Sequence, residues 1–141
     1  MKNSIKIITL TLLVGISIGL SQSTQRKIRT DEQRIEMAKK NYQMGLHSDN
    51  EGIVSSAVKM IAKMKMRYPT SDLDDIKEDL RELSVEHPSA PIRYKAYLAY
   101  AICEDPLWFS KDQDVVTRDE RDFFIATSHR LQQKLFGYNG L

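Results

Sequence analysis

A single cysteine, Cys103, excludes an internal disulfide, so the fold must rest on packing alone. Its neighbours Ala99, Tyr100 and Ile102 predict a buried thiol. Metal chemistry has no frame either. The histidines His47, His87 and His129 form neither H-x-x-x-H nor H-E-x-x-H, the spacings that turn two imidazoles toward one ion. Asp72-Leu73-Asp74-Asp75 and Asp112-Gln113-Asp114 do not continue into a calcium loop. No cofactor or metal is expected.

An excess of charge of one sign is lacking as well. The first 23 residues hold Lys2 and Lys6 and no acid, so the remainder carries 19 of the 21 basic residues against all 19 acidic ones. That balance argues against nucleic acid as a partner, which calls for a basic stripe or excess. The longest uncharged apolar run, Ile7 to Leu20, is 14 residues. As a helix it would reach about 21 Å, short of the roughly 30 Å that a membrane span must cross.

Behind Lys2 and Lys6 this run reads as a secretory signal, residues 1–23, with cleavage expected after Ser21 or Ser23. Retention as an anchor is the alternative. No cysteine near the cleavage region is placed to carry a lipid. The protein is therefore expected to be exported, periplasmic or secreted, with no membrane contact beyond the signal. A polar, basic leader follows over 24–29, then one domain over 30–136 and a tail over 137–141.

Within the domain the apolar positions recur at helical spacing and no segment reads as a strand. Thr30 and Gln33 form a capping box opening a helix over 30–47, with Ile35, Ala38, Tyr42 and Leu46 on one face. A second helix, 50–67, has the stripe Ile53, Ala57, Met60, Ile61, Met64 and Tyr68 opposite Lys59, Lys63 and Arg67, and stops at Pro69. Ser71 caps a third, 72–86, carrying Leu73, Ile76, Leu80 and Leu83. The fourth, 90–103, is apolar over most of its girth and should lie centrally. Residues 104–116 look irregular. Thr117 and Glu120 then form a second capping box for a fifth helix ending at Gly137, with Phe124, Thr127, Leu131 and Leu135 inward. The fold class is all-α, with about five helices after the signal.

Shifting the chain by 39 residues places Ile53 on Ile92 and Ala57 on Ala96, each in a helix that follows a polar turn. With Ile92-Arg93-Tyr94-Lys95-Ala96 opening the second helix of a pair and Asp49 in the preceding turn, the chain resembles the HEAT family of helical repeats over about 30–103. Val54 stands at the arginine place of the first unit and Pro88 at the aspartate place of the second. The resemblance implies antiparallel helix pairs stacked into a short superhelix, with one inter-repeat contact from Asp49 to Arg93. Gly45, Ala57 and Pro69 are similar instead to tetratricopeptide positions, although that frame moved forward meets Asp79 and Pro91. The fifth helix, with Leu107-Trp108-Phe109 before it, is expected to close the C-terminal end of the stack.

Residues that suggest chemistry reduce to surface features. Ser56-Ala57-Val58-Lys59 and Ser48-Asp49-Asn50 match two elements of penicillin-recognising serine enzymes, but the order is reversed and the third element is missing. His47 and His87 occupy similar turns and could approach each other beside Asp49 or Glu86. The expected partner-binding residues are Arg93, Tyr94, Tyr97 and Tyr100, a strip along the fourth helix, together with Trp108. The sequence thus points to an exported, non-enzymatic module binding a protein or peptide through its second and fourth helices. A small enzyme or ligand carrier with a pocket between helices, holding His47, His87 or Cys103 beside a carboxylate, is the alternative.

Overall fold

In the computed structural model, residues 30–111 and 119–137 are described. The expected signal and leader, the tail beyond Gly137, Asp112-Gln113-Asp114 and Thr117 lie outside them. The described residues form six helices and no strand: α1 (Asp31–Leu46), α2 (Glu51–Arg67), α3 (Asp74–Glu86), α4 (Ala90–Glu104), α5 (Pro106–Phe109) and α6 (Glu120–Phe136). The protein is all-α, as the periodicity indicates. No helix among these residues is long and apolar enough to cross a membrane.

Local chemistry sets most boundaries. The Gln33 N–H donates to Thr30 Oγ1 at 3.3 Å while the Thr30 N–H donates to Gln33 Oε1 at 3.2 Å, which is the expected capping box. Asn50 Oδ1 accepts from Gly52 and Ile53 to start α2. Gly137, in the left-handed region at φ 60°, ends α6.

Four expectations need correction. Ser71 does not cap α3; its hydroxyl donates back to the Tyr68 carbonyl at 2.7 Å, and the helix starts at Asp74. The stretch after α4 is not wholly irregular, because Asp105 accepts from the Trp108 N–H and Pro106 suits a first turn, together making α5. The cap of α6 is Asp119, which accepts from Arg121 and Asp122, and Glu120 is engaged elsewhere. On α6, Phe123 is fully buried and Leu135 is exposed.

The first four helices form two antiparallel hairpins. Gly45, late in α1, meets Ala57, early in α2. Lys77 at the start of α3 pairs with Glu104 at the end of α4, 2.9 Å apart. The hairpins stack with α2 and α4 parallel: Ser89 Oγ donates to Glu51 at 3.0 Å and Lys95 Nζ to Ser55 Oγ at 2.6 Å. Their separations of 38 and 40 residues bracket the 39-residue shift of the sequence. Helix α4 touches α2, α3, α5 and α6 and supplies Ile92, Ala96, Leu98, Ala99 and Ile102 to the core, the central place its composition calls for.

Helices α5 and α6 do not simply extend the stack past α4. They lie against both α2 and α4, burying Phe109, Phe123 and Phe124 there. The inner surface of the two hairpins is therefore largely covered.

Candidate functional site

Positions related by the 39-residue shift have opposite exposures, and the difference locates the two ends of the stack. Ile92 is 2% exposed and Ala99 0%, whereas their first-hairpin equivalents Ile53 and Met60 are 51% and 38% exposed. In the other direction Val58 is 0% exposed and its equivalent Tyr97 is 45%. Each inner helix thus has one face toward the unit before it and one toward the unit after it. Among the described residues nothing buries Ile53 and Met60 on the first hairpin or Tyr97 on the second.

These two bare faces differ chemically. The distal face, beyond α4, carries Arg93 and Tyr97 where α2 has Val54 and Val58. Such residues keep a polar tip in water. The proximal face, on α1 and α2, keeps Ile53 and Met60.

A groove runs along that proximal face. Its larger part, about 840 Å³, lies between the start of α1 and the end of α2 and is lined by Ile35, Ala38, Tyr42, Met60, Met64 and Tyr68. A smaller part of about 350 Å³ continues past Tyr42 and Met60, which line both, to Gly45, Ile53 and Ala57. The close approach at Gly45 shuts the helices together at one end, and small Ala38 leaves space at the other. Arg34, Lys63, Arg67 and Asp31 supply the charged lining. Arg34 lies 3.7 Å from Asp31, Arg67 sits over the Tyr68 ring, and neither Lys63 nor Arg67 has a carboxylate partner among the described residues. Among the described residues, three cations against one carboxylate leave the groove positive.

The sequence-predicted residues do not make one strip. Arg93 donates to the carbonyls of His87 and Pro88 at 2.7 and 3.0 Å, fastening the start of α4 to its own turn. It makes no ion pair with Asp49 among the described residues, so the expected inter-repeat contact is replaced by a local one. Tyr94 turns to α6, where its hydroxyl and that of Ser128 share a hydrogen bond of 2.6 Å. Tyr100 packs half-buried on the core near Lys77 and Arg81 of α3. Tyr97 projects from the distal face, and Tyr94 stays exposed beside its hydrogen bond. Trp108 is a clasp: its Nε1–H donates to the Arg130 carbonyl, the Arg130 guanidinium donates back to the Trp108 carbonyl at 2.9 Å, and Lys111 and Arg130 both lie over its ring.

His47 and His87 do approach one small cleft of about 190 Å³, beside Asp79, Glu82 and Glu86. His47 Nε2 is 3.4 Å from Asp79, and His87 Nδ1 accepts from the Ser89 N–H. Among the described residues no group of three such side chains is arranged to hold a metal ion. Cys103 is buried, and burial pushes its thiol up to about 11 against the opposing pull of Lys65 and Lys77, so it is a poor nucleophile at neutral pH.

One polar cluster escapes sequence reading. Ser55 is buried and donates to Glu120 on α6, while Lys95 donates to both Ser55 and Glu120. Burial alone raises the Glu120 carboxyl. The hydrogen bonds from Lys95 and Ser55 and the charges of Lys95 and Lys59 outweigh it and hold the group below the usual carboxylate range. The cluster bolts α2, α4 and α6 together. Comparison with family models, with curated proteins and with solved structures finds no significant match to this chain.

Proposed function

We propose that this is an exported, non-enzymatic, HEAT-like helical-repeat protein that binds a protein or peptide outside the cytoplasm. The observation that carries the reading is the proximal face. A stack of helix pairs needs polar outer faces at its ends, yet Ile53 and Met60 stand exposed beside an apolar groove. The binding surface is accordingly the outer seam of α1 and α2. The surface between α2 and α4, the site expected from sequence, is occupied by α5 and α6. The exposed Met60 side chain suits this role, because an unbranched thioether adapts to varied partners.

A second reading, a carrier of a small apolar ligand, draws on the size of the groove, whose 840 Å³ falls within the range of ligand pockets. Crosslinked affinity capture from an envelope or culture-medium fraction separates the two. The tagged protein should retain a defined protein that the Met60→Glu variant loses. A small molecule retained in native mass spectra, with no protein lost on substitution, would favour the carrier.

A further inference from the structure

We infer that the occupant of the proximal groove is an amphipathic α-helix of a partner, acidic along its flanks, which docks as the missing neighbour of α1 and α2. The inference rests on the interaction reading above and names the chemistry of its partner. Its shape comes from the fold itself. At the equivalent places in the second hairpin, Ile92 and Ala99 are buried against the first hairpin. The side chains that await cover, Ile53 and Met60, sit two turns apart along α2 and face the same direction, so a helix laid on the seam meets both. The lining runs from Asp31 to Gly45 on α1, which at helical rise is about 22 Å, or four turns of a docked helix. An apolar stripe laid into such a groove is a recurring mode of peptide recognition.

The charge of the groove selects among occupants. Among the described residues Arg34, Lys63 and Arg67 line it with Asp31 as the sole carboxylate, and the remaining polar lining, Asn41, Asn50, Ser56 and Ser110 at the end of α5, is neutral. A second copy of this chain is a poor fit. Face to face, the two cationic linings would oppose each other; end to end, the Arg93 and Tyr97 face brings a further cation to the groove. The chain's own leader is excluded by the same sign, since Arg26, Lys27 and Arg29 are all basic. Glutamates or aspartates flanking an apolar stripe instead complement Lys63 and Arg67, neither of which has a carboxylate partner among the described residues.

The test uses two synthetic 16-residue helical peptides with the same leucine and methionine stripe, one with glutamate flanks and one with lysine flanks, titrated against residues 24–141 by fluorescence anisotropy. The glutamate peptide should bind about tenfold or more tightly than the lysine peptide at low salt, with the gap narrowing as salt rises. Lys63→Glu with Arg67→Glu should reverse that order, and Ile53→Glu should weaken both peptides. Circular dichroism verifies that these surface variants keep their helix content. Equal binding of the two peptides, binding of neither, or a concentration-dependent dimer abolished by Ile53→Glu would overturn the inference. If the peptides fail while crosslinked capture still yields a protein lost on Met60→Glu, the acidic-helix inference falls and the interaction reading stands. If capture fails too, both fall.

Discussion

Gly45 and Ala57 set how closely α1 and α2 approach. A Cβ built on Gly45 would lie 2.9 Å from the Ala57 Cβ, closer than two such atoms pack, and neither is the end of a flexible chain that could turn aside. Gly45→Ala gains about 0.8–1 kcal/mol of helix propensity, while overpacking a tight seam costs about 1–3 kcal/mol. The net expectation is a loss of about 1 kcal/mol in urea unfolding, with the shift visible as a lower midpoint at unchanged slope. Because the contact fixes the closed end of the groove, a variant of unchanged or raised stability would show that α1 moves freely along α2. The sequence holds Gly45 in view only as a small residue in a competing tetratricopeptide frame; its partner Ala57 lies on a different helix, and their contact is a matter of tertiary packing.

Among the elements, α6 is joined to the hairpins by a polar bolt as well as by aromatic packing. Ser55 of α2, Lys95 of α4 and Glu120 of α6 meet across 65 and 25 residues of sequence, beyond the reach of any local pattern. The Glu120 carboxyl is held below its ordinary value in the fold, so the stabilisation it adds is fully present above the ordinary carboxylate pKa. It is lost as pH falls through the lowered folded value. Glu120→Gln should therefore lower stability at neutral pH by no more than about 1 kcal/mol, since solvent screens a pair this exposed. The difference from the parent should close as the pH is taken below the carboxylate range, and thermal unfolding measured from neutral pH down to about pH 3 follows it. A difference that persists undiminished in acid would mean that the carboxylate charge has no part. Elements with strong end signals are those legible in sequence: Thr30 with Gln33, Pro69 and Gly137 all mark helix ends. Helix α5 is not legible, because its single turn is too short to show a period. The second apolar face of α2 misleads for a related reason. Ile53, Ala57, Met60, Ile61, Met64 and Tyr68 read as one core stripe, but Val54, Val58 and Ala62 are buried as well, and spacing does not reveal which side meets a neighbour.

Over the whole molecule, two hairpins alone would form a short array in which each unit touches only the next, and such arrays can unfold in parts. The third layer alters this. Phe109, Phe123 and Phe124 are buried against α2 and α4 together, so the hairpins share one hydrophobic core and neither can open without exposing the aromatics of α5 and α6. The chain should unfold in a single cooperative transition. Trp108, the sole tryptophan, reports on the junction of α5 and α6, while far-ultraviolet circular dichroism reports on every helix. In a urea titration of residues 24–141 the two signals should trace the same curve. Phe123→Ala should move both together to lower urea by an amount corresponding to about 3–5 kcal/mol, the usual cost of removing a buried phenylalanine. If the tryptophan transition instead comes first and leaves most of the helical signal intact, α5 and α6 are a detachable layer. The inner surface of α2 and α4 would then become a second face open to partners.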